Sequence, residues 1–464
     1  MNAEDNVRLT SIGLGTPCGT LLRQYWQPVA LVDEFAPAVD PAMGVRPVKP
    51  LQILGEELVL FRDAAGRLGL PQRPCPPRGA DLSSGRLEST ETSRWGAPSN
   101  GLRCPFHGWK FGVDGRCFDT PAEPEGSTLC DRVAATAYPV EGRGGVVSPS
   151  RGRGEPPPLP ALDVLSAPDT HTFAFKGLWN CNWLQAQEVG LDPAHTSFLH
   201  AFFEDEDLSQ TYGRQFRNAS AGAVDGEKWP MTKIMREFHR PEIRTEPTAW
   251  GQRITTLRKI SDQLTHVRVT HGLFPNGFVI PLSETMTITQ FHVPIDDRRT
   301  WWFSLFTSFE GPVDKDSMRQ QRLRANPAPD FAPVSGAHNR WGYDPAEQLT
   351  STLLGMGEDD INVHDQWACE SMGALTDRTR EHLGTTDKAI MSNRRALLAA
   401  IAKVAAGEPA PGLADAKVAQ AIRGPDTIDG IAPTAQWSEW WQDQAAGKIT
   451  RAPWKRPAVV TQAS

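Results

Sequence analysis

The chain has 464 residues and a formal net charge of −7, with 39% hydrophobic and 22% charged residues, which is the composition of a globular protein of two or three domains. It contains neither the roughly 18 consecutive apolar residues of a membrane helix nor a block of Lys and Arg suited to a phosphate backbone. Because the start, MNAEDNVRLTSIGLGTP, also lacks a secretion signal, we expect a cytoplasmic protein with neither a membrane nor a nucleic-acid partner.

The first third of the chain is predicted to be rich in β-strands. Between residues 47 and 72, short apolar runs alternate with glycine-containing turns, and RDAAGR at 62–67 predicts a hairpin connection. Residues 150–169, SRGRGEPPPLPALDVLSAPD, are dominated by Pro, Gly and charged residues, as in a linker. We therefore predict a first domain over 1–160 and a second over 161–464.

The second domain is predicted to combine helices with an antiparallel sheet. Residues 180–203, NCNWLQAQEVGLDPAHTSFLHAFF, predict a helix, and residues 385–407, TTDKAIMSNRRALLAAIAKVAAG, predict another that ends at Gly407. The four segments QRITTLRKI, THVRVTHGLF, ETMTITQFHVPI and RRTWWFSLFTSF have the β-branched and aromatic content of strands. The chain as a whole is thus expected to be α+β, with an all-β first domain.

Two loops of the first domain contain metal-binding residue types. Cys75 lies in RPCPPRGADLSSGR, and CPFHGWKF supplies Cys104 and His107 on a turn where Gly108 lets the backbone bend sharply. A Rieske-type [2Fe-2S] cluster needs two thiolates on one iron and two imidazoles on the other. Only one histidine is present, and Pro77 has no donor atom. A proline-stiffened loop with buried cysteines is the alternative, and other candidate ligands are Cys18, Cys117, Cys130 and His171.

A second group of candidate ligands lies in EVGLDPAHTSFLH, residues 188–200. A helix would align Glu188, Asp192 and His195 on one stripe. His200 would lie about 140° away from His195, so both imidazoles reach one metal only if the helix ends or widens between them. Two imidazoles and one carboxylate leave three positions of ferrous iron open, as in non-heme oxygenases.

These segments carry a resemblance to a known family. CPPRGADLSSGRLE and GLRCPFHGWKFGVDGRCFDTPAEP resemble the Rieske domain of aromatic ring-hydroxylating oxygenases, and GLGTPCGTLLRQYWQPVAL is similar to the start of their phthalate-dioxygenase and phenoxybenzoate-dioxygenase branch. The family motif is C-x-H followed by C-x-x-H. This chain departs from it at Pro77, which stands where the family has a cluster histidine, and in a longer spacing that includes STETSRWGAPSN at 89–100. The resemblance implies a Rieske-like domain followed by a helix-grip-like catalytic domain.

The resemblance also implies the ligands of two cofactors. It implies that a [2Fe-2S] cluster is held by Cys75, Cys104 and His107. For a mononuclear Fe(II), it implies that Asp365, in HDQWACESMG, completes a triad with His195 and His200. His364 and the acidic run GEDD at 357–360 are alternatives, and only one of the adjacent residues His364 and Asp365 is expected to face the metal.

The implied activity is that of an oxygenase component. With O2 and electrons from an NAD(P)H-dependent flavin and iron–sulfur reductase, it would hydroxylate or O-dealkylate an aromatic compound within a homotrimer or a mixed trimer. Asp192 would lie between the iron of one subunit and the cluster of the next, unless it only supports a helix N-terminus. Candidate ligands of a substrate carboxylate are Arg253, Arg258 and Arg268. Because of Pro77, the alternative is a metal-binding subunit with a defective cluster site, acting in a mixed oligomer or catalytically inactive.

Overall fold

A computed structural model describes the fold of this chain. It covers residues 1–35, 46–90, 99–152, 155–204, 220–224, 226–283, 285–357, 360–413, 423–424, 426–452 and 454. Within these ranges, helices are too short or too polar to span a bilayer. The predicted α+β class is confirmed, since the chain forms a set of small antiparallel sheets followed by a large antiparallel sheet covered by helices.

The described residues of the N-terminal part form three small antiparallel sheets. The first pairs β1 (Ala30–Leu31), β11 (Val146–Pro149) and β10 (Val140–Arg143). The second contains β2 (Val48–Ile53), β3 (Glu56–Arg62), β4 (Leu68–Pro71) and β9 (Ala137–Tyr138). The third contains β5 (Arg86–Thr90), β6 (Ser99–Arg103), β7 (Lys110–Phe111) and β8 (Cys117–Asp119). The predicted hairpin at 62–67 is confirmed, because it joins β3 to β4 and Asp63 Oδ1 accepts hydrogen bonds from the amides of Ala65 and Arg67.

The C-terminal part is built on an eight-stranded antiparallel sheet. Its strands are β13 (Thr172–Trp179), β16 (Glu242–Thr248), β17 (Gly251–Lys259), β18 (Leu264–Leu273), β19 (Gly277–Pro281), β20 (Met286–Pro294), β21 (Thr300–Ser308) and β23 (Ile428–Pro433). Two short pairs lie outside it: β12 (Ala161–Leu162) with β22 (Arg423–Gly424), and β14 (Ser220–Val224) with β15 (Glu227–Pro230). The four segments predicted as strands form β17, β18, β20 and β21.

Helices pack on both parts of the chain. They are α1 (Ala3–Thr10), α2 (Pro17–Leu22), α3 (Leu129–Arg132), α4 (Asp163–Ser166), α5 (Trp183–Leu191), α6 (Met231–Glu237), α7 (Lys315–Ala325), α8 (Pro345–Thr350), α9 (Asn362–Ser371), α10 (Lys388–Ala405) and α11 (Trp437–Arg451). As predicted, α10 is followed by Gly407, which has a φ of 81°.

The helix predicted over 180–203 is wrong in its length. It ends at Leu191, where Asp192 takes an extended conformation, and only a short 3-10 turn at His195–Ser197 follows. The physical reason is Pro193, because proline disfavours helical backbone at the residue before it and lacks an amide hydrogen. Consequently, Glu188, Asp192 and His195 do not form one helical stripe.

The two parts of the chain share a hydrophobic core and buried ion pairs. One cluster of buried side chains extends from Leu22 and Val147 to Phe175 and Trp302. Glu34 pairs with Lys49 of β2 and with Lys176 of β13, whose side chain is 2% exposed. The described residues between 150 and 160 form neither helix nor strand. The domain boundary at residue 160 stays a prediction.

Candidate functional site

The loops that carry Cys75 and Cys104 have the same backbone hydrogen bonds. The amide of Cys75 donates to Ala80 O at 2.8 Å, and the amide of Gly79 donates to Cys75 O at 2.7 Å. The Cys104 loop repeats both bonds with Trp109 and Gly108. Each loop glycine has a φ of 76°, which favours glycine. The backbone frame of a two-loop cluster site is therefore present.

The two cysteines lie against each other inside this frame. Cys75 and Cys104 are buried, and their thiols are hydrogen-bonded. Burial, with the neighbouring Cys104, raises the pKa of Cys75 to about 12. Since thiolates ligate metals, this site needs a cation to ionise its thiols. The ring of half-buried His107 lies 3.8 Å from the ring of Phe106.

Pro77 stands where the family resemblance leads us to expect the second cluster histidine. It is half-buried, and the guanidinium of the next residue, Arg78, lies 5.3 Å from the ring of Phe106. Proline has no side-chain nitrogen, oxygen or sulfur that could bind iron. The predicted residues thus supply three of the four donors of a Rieske cluster, and they do not fit its complete ligand set.

The other candidate ligands do not fill this gap in the described structure. Cys117 and Cys130 contact each other, with 2.8 Å between their sulfur atoms. Cys18 is packed in the large core, and the ring of His171 lies 5.3 Å from that of Trp454 in the C-terminal part. Of the insert predicted at 89–100, residues 91–98 lie outside the described residues, and the flanking residues belong to β5 and β6.

A triad of ligands forms where α5 ends. Among the described residues, one group of three potential metal ligands has donor atoms that all lie within 4.8 Å of one another: His195, His200 and Asp365. Asp365 Oδ1 lies 3.6 Å from His195 Nε2 and 3.1 Å from His200 Nε2. His195 begins the 3-10 turn after α5, and Asp365 lies in the first turn of α9. The break in the helix brings both imidazoles to one point.

Hydrogen bonds on the outer nitrogens orient both imidazoles. His195 Nδ1 donates to Asp192 O at 2.6 Å. His200 Nδ1 lies 3.3 Å from His364 Nδ1, and His364 Nε2 donates to Gly357 O at 2.8 Å, which leaves His364 Nδ1 as an acceptor. Both ligand histidines therefore direct Nε2 toward Asp365. The sequence analysis gave His364 as an alternative metal ligand, but no local sequence pattern indicated that His364 orients His200.

The electrostatics of the triad suit a divalent cation. Asp365 is half-buried, and its partial removal from water raises its pKa to about 6. Its Oδ1 accepts no hydrogen bond from any described residue. Burial likewise lowers the pKa of His195, which favours the neutral, ligating imidazole. Two neutral imidazoles and one orphaned carboxylate oxygen are the donors of a non-heme Fe(II) site with open positions, so these residues fit that metal.

Asp192 caps the C-terminal end of α5. Its Oδ1 accepts a hydrogen bond from the amide of Ala194 at 2.8 Å, while its carbonyl orients His195. The alternative that it supports a helix N-terminus is wrong, because the helix ends at Leu191, before it. Glu188 also lies away from the triad, since it forms buried ion pairs with Arg378 and Arg394.

The three candidate arginines have different environments. Arg253 pairs with a glutamate near the surface, and Arg268 is held by Asp429 and the carbonyl of Pro281. Arg258 is 1% exposed, and its Nη2 donates to the carbonyl of Pro193 at 3.1 Å, two residues before His195. Its Nε and Nη1 have no hydrogen-bond partner in the described part of the chain. Arg258 is thus a buried cation with two free donors, and it contacts the backbone two residues before His195.

A cavity of about 640 Å³ adjoins the triad. His195 lines it together with aromatic and apolar side chains that include Phe198, Trp341, Met356 and Trp367. Trp341 has a φ of 52° in the left-handed region, which is uncommon for a bulky residue and places strain at the cavity wall. The cavity is large enough for a substituted aromatic ring.

Comparisons with known proteins agree with this arrangement. A Rieske [2Fe-2S] domain matches residues 25–139, and a LigXa C-terminal domain like family matches residues 156–452. The chain is 28% identical to a phthalate 4,5-dioxygenase oxygenase subunit of Pseudomonas putida, over 91% of each chain. It is 30% identical to a 5,5'-dehydrodivanillate O-demethylase oxygenase subunit of Sphingobium sp. (strain NBRC 103272 / SYK-6), covering 88% of this chain and 82% of that one.

A solved structure supports the fold assignment. A fluorene-bound oxygenase and ferredoxin complex of carbazole 1,9a-dioxygenase matches with a TM-score of 0.52 and 19% identity, over 90% of this chain and 99% of that one. Because its relatives are oxygenase subunits, the alternative of a catalytically inactive metal-binding subunit is not favoured. The [2Fe-2S] cluster and Fe(II) are the cofactors of the family to which these matches point. The chain belongs to the Rieske non-heme iron oxygenases, as an oxygenase subunit with a Rieske domain and a LigXa-like catalytic domain.

Proposed function

We propose that this protein oxygenates an aromatic carboxylate at a mononuclear Fe(II) held by His195, His200 and Asp365. The observation that carries the proposal is the convergence of these three donors within 4.8 Å, beside a cavity lined by aromatic side chains. Bound there, Fe(II) would activate O2 for ring hydroxylation or for removal of an O-alkyl group. Relatives named as a dioxygenase subunit and as an O-demethylase subunit support both outcomes.

Arg258 supports the choice of a carboxylated substrate. Its guanidinium is buried, and burial together with the neighbouring charge of Arg268 lowers its pKa to about 10, while Asp429 acts in the opposite direction. A buried cation in this position gains from a further anion. Nε and Nη1 have no hydrogen-bond partner among the described residues, so each of them can donate a charge-assisted hydrogen bond to an anion. We infer that Arg258 binds the substrate carboxylate, which requires the substrate to extend beyond the cavity beside the triad, because Arg258 is not among the residues that line it. Arg268 is less suited, because Asp429 already neutralises it.

The chain's own residues perform the remaining tasks. The backbone of Asp192 and the ring of His364 hold the two imidazoles in the ligating tautomer. Trp341, Met356 and Trp367 form an apolar wall that restricts water around the substrate. Because both the arginine that binds the substrate carboxylate and the metal are fixed, only some carbon atoms of the substrate ring can reach the metal. This restricts which carbon is oxidised.

We also propose partners for this protein, namely an electron donor and further copies of the chain. Solved relatives include oxygenase and ferredoxin complexes, and this chain would take its electrons from a small redox protein and an NAD(P)H-dependent reductase. We also propose a trimer in which the loop tip with Phe106, 53% exposed, packs beside Asp192 of the next subunit. Phe198, 52% exposed, would be covered in the same interface.

The experiment measures bound iron first and substrate binding second. His195→Ala removes one of three ligands and is expected to abolish iron binding at the triad, measured by metal analysis after anaerobic reconstitution with Fe(II). Arg258→Met is expected to retain this iron but to raise the KM for phthalate about tenfold or more, since a charge-assisted hydrogen bond is worth about 1.5–3 kcal/mol.

Two results would contradict the proposal. Unchanged triad iron in His195→Ala would overturn the metal assignment, and an unchanged KM in Arg258→Met would overturn the carboxylate assignment. Arg253→Met is the matched control, because that arginine lies on the same strand in a surface ion pair. Its iron content and its KM are expected to equal those of the unmodified protein.

A further inference from the structure

Two buried cysteines of the N-terminal part have their thiols in direct contact. The sulfur atoms of Cys117 and Cys130 lie 2.8 Å apart, and the two residues are 0% and 2% exposed. Both belong to the small core that also contains Cys75 and Cys104, but neither lies in the two loops of the candidate cluster site. The two sulfur atoms therefore need only a small further approach to form a covalent bond.

Cys130 lies under a thin layer of the protein surface. It belongs to α3, a single helical turn of four residues, and the next residues, Asp131 and Arg132, are exposed. Cys130 also lines a surface depression together with residues that include Asp114 and Arg116. A short surface turn opens locally at a much lower free energy than a helix in the core. A reagent from solution therefore reaches Cys130 once this one turn opens.

Another pair of thiols has the same kind of contact but lies deeper in the chain. The thiols of Cys181 and Cys369 are hydrogen-bonded, and both residues are 0% exposed. Cys369 lies in α9, a helix of ten residues, and its thiol also donates to Gln185 O at 3.5 Å. Both cysteines belong to the large core. A reagent reaches Cys181 and Cys369, here called the control pair, only when the catalytic part itself opens.

The segment that joins the two contacting cysteines, residues 117–130, packs against the loop that carries Cys104. A Cβ added to the glycine of that loop would lie 2.7 Å from Pro121 Cγ, so the loop and the segment are in close contact. Asp119 also pairs with Arg103, the residue before Cys104, at 2.9 Å. A covalent bond between the two ends of the segment would restrict its movement away from this loop.

We propose that Cys117 and Cys130 are a redox modification site, at which a small organic disulfide such as oxidised glutathione converts the two thiols to a disulfide. Cys130, as its thiolate, attacks one sulfur of the reagent, which forms a mixed disulfide and releases one thiol. Cys117 then loses its proton and attacks the Cys130 sulfur, which releases the second thiol. The two cysteines lose two electrons and two protons, and the reagent gains them as two thiols.

The test treats the full chain, after anaerobic reconstitution with Fe(II), with oxidised glutathione and locates the disulfides over time by mass spectrometry of peptides. The bond from Cys117 to Cys130 is expected to form about tenfold or more faster than a bond in the control pair, because opening a surface turn costs less than opening the core. Cys117→Ala is expected to stop at a mixed disulfide between Cys130 and glutathione. Cys130→Ala is expected to give no adduct at Cys117, which is 0% exposed.

Three results would overturn the proposal. The first is that no bond forms between Cys117 and Cys130, or that the control pair or Cys75 with Cys104 becomes linked before them. The second is that Cys117→Ala accumulates no mixed disulfide, which would show that the reagent does not reach Cys130. If the alanine variants fail to fold by circular dichroism, the order of bond formation in the unmodified chain decides the proposal.

The third result concerns the effect of the bond on stability. A disulfide restricts the unfolded chain, so the oxidised protein is expected to unfold at a higher temperature than the reduced protein. Circular dichroism measures both unfolding temperatures, and dithiothreitol is expected to return the oxidised protein to the lower value. Equal unfolding temperatures in the two forms would show that the bond does not restrain residues 117–130.

Discussion

At the scale of single residues, Pro77 decides how the cluster site is completed. The Cys75 and Cys104 loops keep the backbone of a Rieske site, so only one donor side chain is missing. We expect Pro77→His to supply it and to slow removal of cluster iron by a chelator about tenfold or more, because full ligation protects a metal from exchange. The rate at which a chelator removes iron measures the gain, and acid-labile sulfide and electron paramagnetic resonance after anaerobic reconstitution show how much cluster is present. Pro76→His, one position away, is the control that should change neither signal.

His364 is a second residue with a separable role. It contacts the outer nitrogen of His200 and is buried, so it sets the tautomer of a ligand without binding metal itself. His364→Phe is expected to weaken Fe(II) binding about 10–100-fold, the range for residues that orient metal ligands. His364→Gln keeps a side-chain acceptor and should restore most of the affinity. Competition with a chelator measures the Fe(II) affinity of both variants, and His382→Phe is the control because His382 is exposed. Equal Fe(II) affinities in the three variants would show that His364 does not orient His200.

At the scale of elements, Glu188 fixes α5 to the rest of the catalytic part. It pairs with Arg394 of α10 at 2.5 Å and with Arg378 at 3.1 Å, and all three side chains are at most 10% exposed. Removing one partner from a buried ionic group costs about 3–5 kcal/mol, so we expect Glu188→Gln to lower the free energy of unfolding by about that amount. Urea denaturation measures it.

The matched control is Glu242→Gln. Glu242 pairs with Arg244 at 2.7 Å, but these side chains are 60% and 49% exposed. Water already solvates such a pair, so no measurable change in stability is expected. Similar losses in both variants would show that burial of the Glu188 cluster does not set its contribution.

At the scale of the whole molecule, Glu34 connects the N-terminal part to the catalytic sheet. It accepts from Lys49 and from Lys176, and its side chain is 4% exposed. Glu34→Gln leaves two ammonium groups without their anion, and we expect the two parts to unfold separately at different temperatures. Differential scanning calorimetry and proteolysis of residues 155–160 detect this change. Asp33→Asn is the control, because the Asp33 side chain is exposed, and this variant should keep the unfolding transition of the unmodified protein. An unchanged unfolding transition in Glu34→Gln would show that the contacts of Glu34 do not couple the two parts.

Local patterns predicted much of this architecture. The strands of the large sheet and α10 follow from β-branched content and helical periodicity, which depend on neighbours in the chain. Pro193 could also have predicted the end of α5, since its effect on the preceding residue is local. The pairing of Glu188 with Arg394 could not be predicted in this way, because the partner comes from a distant helix.

The sequence alone determined the residue types at both candidate metal sites, the family resemblance and the donor missing at Pro77. Only the tertiary structure decided that Asp365 meets His195 and His200, that His364 contacts His200, and that Arg258 is a buried arginine with two free donors. The physical reason is the distance between the residues along the chain. Motifs report contacts between residues that are close in sequence, whereas the contacts of Asp365, His364 and Arg258 depend on how β17, α5 and α9 pack. The cavity between residues 25–28 and α10 is the clearest case, because its lining residues come from eight separate stretches of the chain and its walls exist only once these stretches pack together.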